Sequence, residues 1–94
     1  MYHIQFNTPA EKYLKKLKDK VLKNKFKETI HKISQNPYEG KPKTGDLAGI
    51  YSWDMYHSGV NYEIAYEVYK NDIIVFIYLI STRENFYKEL KRIL

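Results

Sequence analysis

The sequence predicts an α+β domain in the order β-α-α-β-β-β-α, a mainly antiparallel sheet with two N-terminal helices and a C-terminal helix packed on it. Apolar residues recur at helical spacing through the first third of the chain. Two alternating stretches follow in the middle, joined by a tight turn, and an unbroken apolar run precedes a last amphipathic segment. Ninety-four residues make one domain, 1–94, with a single modest core.

Tyr2-His3-Ile4-Gln5-Phe6 alternates as a short strand does, with Tyr2, Ile4 and Phe6 on one face. Thr8-Pro9-Ala10-Glu11 then opens a helix: Thr8 suits the N-cap, Pro9 the first turn, and Glu11 completes a capping box. Tyr13, Leu14, Leu17 and Val21 continue at helical spacing. Phe26, Ile30 and Ile33 do the same after a break between Lys18 and Lys23, so two helices are expected. Asn36-Pro37 ends the second, because the residue before proline is biased away from helical backbone.

Tyr38 to Gly49 is rich in Gly, Pro, Lys and Asp and is expected to be a loop exposing Lys41 and Lys43. Ile50 to His57 alternates, with Tyr51, Trp53, Met55 and His57 opposite Ser52, Asp54 and Tyr56. Ser58-Gly59 supplies a turn, and Asn61 to Tyr69 alternates again before a second turn at Asn71-Asp72. Ile73 to Ile80 does not alternate and is rich in β-branched and aromatic residues, as a strand covered on both faces requires. Ser81 with Glu84 forms another possible capping box, and Phe86, Leu90 and Ile93 give the last helix its apolar stripe.

Composition narrows the function. A formal net charge of +5 suits a polyanionic partner, nucleic acid or acidic protein. There is no cysteine, and the three histidines lie far apart, so neither a disulfide framework nor a metal site is expected, and no cofactor is implied. No charged-then-apolar leader pattern opens the sequence, and the Ile73–Ile80 run is far short of the roughly 20 residues a membrane helix needs. The expectation is a soluble cytoplasmic protein. Nine of the sixteen basic residues fall between Lys12 and Lys32, which suits the solvated face of amphipathic helices or a contact with RNA phosphates or an acidic partner.

Ser81 to Tyr87 is the segment richest in potential chemistry. Arg83 and Tyr87 place a permanent cation and a phenol four residues apart at a strand-to-helix junction, a combination able to grip and protonate a phosphodiester. Arg83 has an alternative as a surface partner of Glu84, Glu89 or a loop carboxylate, and Tyr87 as an aromatic packed at the sheet edge. His57 and Glu63 lie on strands joined by a short turn and are candidates for proton exchange, against surface roles for both. Lys41 and Lys43 precede the meander and are candidate RNA contacts. Trp53 belongs to the core or stacks on a base.

Three strings carry a family resemblance: Gly45-Asp46-Leu47-Ala48-Gly49-Ile50-Tyr51, Tyr62-Glu63-Ile64-Ala65-Tyr66-Glu67-Val68, and Arg83-Glu84-Asn85-Phe86-Tyr87 followed by Lys91-Arg92-Ile93-Leu94. With the order of elements, they make the chain resemble the RelE/ParE toxins of bacterial type II toxin–antitoxin systems. The resemblance implies a toxin restrained by a cognate antitoxin. It implies either a ribosome-dependent mRNA endonuclease, as in the RelE branch, or a protein that poisons DNA gyrase, as in the ParE branch; a degenerate antitoxin-binding member is a third possibility. In the nuclease case Arg83 matches the arginine after the last core strand and clamps phosphate. Tyr87 corresponds to the C-terminal-helix tyrosine, here closer to the arginine than in the family's best-known form. His57 or Glu63 would take acid/base roles. Ser52, Asp54 and Glu63 stand where RelE nucleases place lysines and an arginine.

Overall fold

The computed structural model describes residues 1–93. A five-stranded sheet runs in the order β1-β5-β4-β3-β2, formed by β1 (His3–Phe6), β2 (Lys41–Pro42), β3 (Tyr51–His57), β4 (Val60–Tyr69) and β5 (Ile74–Thr82). β1 runs parallel to β5 and the other pairs are antiparallel. Helices α1 (Thr8–Lys16) and α2 (Lys20–Gln35) separate β1 from the rest, and α3 (Phe86–Ile93) closes the described chain. The predicted order holds, with β2 added inside the segment expected to be a loop.

The apolar periodicity decides which face each element covers. Phe26, Ile30 and Ile33 of α2 join Met55, Ile64, Tyr66, Val75, Ile77 and Ile80 of the sheet in the main core. On the opposite face α3 inserts Phe86 and Leu90 against Ala65, Leu79, Leu47 and Ile50. β5 contacts α1 on one side and α3 on the other, so it has helices on both faces and lies next to the centre of the sheet. Its missing alternation has a further cause. The β4–β5 register slips between Ala65 and Tyr66, where Ala65 opposes Leu79 and Tyr66 opposes Ile77, leaving Tyr78 as the extra residue of a bulge. Beyond the bulge the sides exchange: Ile80 faces α1 and α2, while Leu79 and Ser81 turn towards α3.

Helix boundaries follow local chemistry, with two corrections. The break after α1 is set by Asp19, whose carboxylate accepts from the backbone N–H groups of Val21 and Leu22 and caps α2. At α1 the N-cap is Asn7, not Thr8, and no side chain caps it; Pro9 still occupies the first turn, where its missing N–H costs nothing. The Ser81–Glu84 capping box does not form either. Ser81 remains in the β4–β5 ladder opposite Glu63, and a single 3-10 turn, Arg83–Asn85, leads into α3.

Candidate functional site

The α3 side of the sheet brings several charged side chains to one place. Glu63 of β4 lies directly across from Asp54 of β3 and Ser81 of β5, so all three point to the same side. Opposed carboxylates repel, and this pair persists because cations surround it. Lys41 Nζ lies 3.2 Å from Asp54 Oδ2, Lys43 Nζ 3.9 Å from Glu63 Oε2, and Arg83 Nε 3.7 Å from Glu63 Oε1. Three cations against two carboxylates leave the group positive.

Burial grades the members. Glu63 is only 4% exposed, while Arg83 keeps 63% of its side chain in solvent. Lys43 lies between, with 16% of its side chain accessible. Its ammonium donates to the Tyr87 hydroxyl at 3.2 Å and sits 4.9 Å from the Tyr87 ring centre and 5.2 Å from that of Phe86. The two rings pack edge to face, so Phe86 anchors α3 in the core and Tyr87 is carried outward beside it. Burial pushes the Glu63 carboxyl above its ordinary value; Lys43 draws it back, Asp54 raises it and Arg83 lowers it again. Glu63 Oε2 is sealed from solvent and accepts no hydrogen bond, so the carboxylate acts on its neighbours through charge.

Arg83, Tyr87, Glu63, Lys41 and Lys43 therefore converge. Arg83 does meet a carboxylate, Glu63, rather than Glu84 or Glu89. His57 does not join them. It belongs to the opposite side of β3, with its Nε2 3.9 Å from Asp19 Oδ2 at the start of α2. The alternation of β3 requires this, since His57 shares a side with Met55 and Asp54 does not. Trp53 also faces α1 and α2, half-buried against the main core, and cannot stack on a base held at Arg83. Phe86 is the member that sequence reasoning did not place in the site, whereas Asp54 reads as standing where a RelE nuclease has a lysine. Nothing local to Phe86 signals that its ring carries a lysine.

A shallow cavity of about 460 Å³ opens beside this group, between the β2 segment and α3. Among the described residues no cluster of three or more His, Asp or Glu side chains can hold a metal ion, and no helix is long and apolar enough to cross a membrane.

The family model for ParE-like toxins of type II bacterial toxin–antitoxin systems matches residues 4–91. The chain belongs to that family. Solved structures share the fold of this ParE-like toxin. A chain of the RelBE2 toxin–antitoxin complex of Mycobacterium tuberculosis is 28% identical, with a TM-score of 0.68 over 87% of this chain and 98% of that one. The isolated E. coli RelE toxin is 22% identical, with a TM-score of 0.70 and complete coverage of both chains. A chain of the intact E. coli RelBE complex is 20% identical, with a TM-score of 0.69 over 86% of this chain and 95% of that one. No curated protein sequence matches.

Proposed function

We propose that this ParE-like toxin cleaves mRNA on the ribosome, through attack of an RNA 2′-hydroxyl on the adjacent phosphate. The observation that carries the reading is the convergence of Arg83, Lys43 and Tyr87 on one open side of the sheet, held from beneath by Glu63. Such cleavage requires an oriented phosphate, charge to stabilise the phosphorane, and a group to move a proton. Arg83, solvent-facing and planar, bridges phosphate oxygens. Lys43 supplies fixed positive charge, and the half-exposed Tyr87 phenol stacks on a base or passes a proton. Glu63 is a positioning residue here, because a buried carboxylate under two cations is poorly placed to touch substrate. The ribosome supplies the rest of substrate positioning, and a cognate antitoxin restrains the toxin, as the RelBE complexes of similar fold suggest.

A second reading is ParE-like inhibition of DNA gyrase without a catalytic centre. It is favoured by Asp54 and Glu63, whose carboxylates offset two of the three nearby cations, and by the family model itself. Mapping mRNA 5′ ends after incubation with translating ribosomes separates the two. New ends within the A-site codon that disappear in Arg83→Ala support the nuclease; intact mRNA beside inhibited gyrase supercoiling supports the second reading.

A further inference from the structure

The cavity between the β2 segment and α3 is walled by lysines from two separate stretches of chain. Lys41 comes from β2, Lys43 from the residue after it, and Lys91 from the last turn of α3. Thr44 adds a hydroxyl, Tyr87 adds a half-exposed ring, and Asp46 is the one carboxylate in the lining. Lys41 and Lys43 lean towards Asp54 and Glu63, whereas Lys91 in the same lining is exposed. Positive charge thus continues from the Arg83 group, through Lys41 and Lys43, into a cavity that also holds Lys91. Lys41 and Lys43 are near neighbours in sequence, and Lys91 joins them only in the folded chain.

We infer that this cavity is a second phosphate subsite, which holds the backbone of single-stranded RNA one or more nucleotides away from the phosphate at Arg83. The inference deepens the nuclease reading and rests on it for the identity of the ligand. Phosphates lie along a strand at short, regular spacing, and a base needs an aromatic face between two of them. Tyr87 offers such a face at the cavity wall, linked to Arg83 through Lys43 and Glu63. An acidic peptide uses the same cations but has no use for an exposed ring between them, so RNA is the better fit. Thr44 can donate to a phosphate oxygen and accept from a 2′-hydroxyl.

The test reads binding without cleavage. A fluorescent, fully 2′-O-methylated single-stranded RNA of about ten nucleotides, a length within the usual single-strand site sizes, is titrated with the protein by anisotropy from about 50 to 200 mM salt. Each phosphate neutralised on a single strand contributes about 0.7 to the slope of log affinity against log salt. Lys91→Ala should lower the slope by about that amount and weaken binding several-fold at the lowest salt. Lys70→Ala, in the turn between β4 and β5, should leave both unchanged. Lys91 is exposed, so its loss should leave the fold intact, and Lys91→Gln provides a second polar replacement. The subsite is refuted if the wild type does not bind, if Lys91→Ala matches wild type, if Lys70→Ala has an equal effect, or if polyglutamate competes as well as RNA does. Failure of the nuclease reading looks different: Lys91→Ala loses its phosphate contact, yet translating ribosomes show no new mRNA ends with wild type.

Discussion

Gly40 immediately precedes the short strand that presents Lys41, and a methyl group there should disturb both the fold and the site. A Cβ built at Gly40 would lie 2.0 Å from Tyr66 Oη, 3.0 Å from Tyr66 Cζ and 3.1 Å from the Ser52 carbonyl oxygen. The Tyr66 ring has little room to yield: it is fully buried, stacked 5.8 Å from Tyr51, and its hydroxyl donates to the Pro37 carbonyl at 2.7 Å. Gly40→Ala should therefore cost about 3 kcal/mol, combining overpacking of about 2 kcal/mol with a lost buried hydrogen bond of about 1 kcal/mol. Tyr66→Phe should cost about 1–2 kcal/mol, because it leaves the Pro37 carbonyl without its partner. The double variant is the informative one. Removing the hydroxyl relieves the worst contact and avoids counting the same hydrogen bond twice, so it should be about 1–2 kcal/mol more stable than the sum of the singles. Urea denaturation followed by circular dichroism measures all four proteins. Thermal melts should agree, at about 4–8 °C per kcal/mol for a domain of this size. Additivity within about 0.5 kcal/mol would refute the claim that Gly40 is dictated by the Tyr66 hydroxyl.

Other perturbations test other parts of the account. Ile73 is half-exposed with φ of 56°, in the left-handed region that a β-branched side chain resists, so Ile73→Gly should stabilise the protein by about 1 kcal/mol; a loss in urea midpoint would show that its contacts outweigh the strain. Glu63 has its native carboxyl raised above the usual 4.5, so its favourable contribution is complete at low pH and is lost as pH rises through the native value. Wild type should lose stability relative to Glu63→Gln over that window in paired urea titrations, and a relative gain with rising pH would contradict the assigned cause.

Much of the architecture was legible because burial repeats with the period of the element that carries it. Phe26, Ile30 and Ile33 could share a buried face only on a helix, and Tyr62, Ile64, Tyr66 and Val68 only on a strand. β2 was not legible: two residues, Lys41 and Pro42, cannot display a period, and proline argues against a strand except at an edge, which is where it sits. The β5 bulge at Tyr78 was hidden for a related reason, since it breaks alternation in a run already apolar throughout. Site residues divide in the same way. Arg83 and Tyr87 stood out from their place after the last strand. The alternation of β3 already put His57 on the side opposite Asp54, but the short turn to Glu63 suggested proximity and obscured that difference. The link between Lys43 and Tyr87 spans 44 residues and exists only after α3 docks.

The most direct test of the proposed chemistry is single-turnover cleavage of a defined mRNA on programmed ribosomes, comparing wild type with Arg83→Ala. Arg83 keeps most of its side chain in solvent and its ion pair with Glu63 is long, so its removal should change stability by less than about 0.5 kcal/mol. The account predicts A-site cleavage by wild type that leaves a 2′,3′-cyclic phosphate, slowed about 10²–10³-fold in the variant, the usual cost of losing a preorganised charge donor. Intact mRNA with wild type, or equal rates from the two proteins, would contradict it.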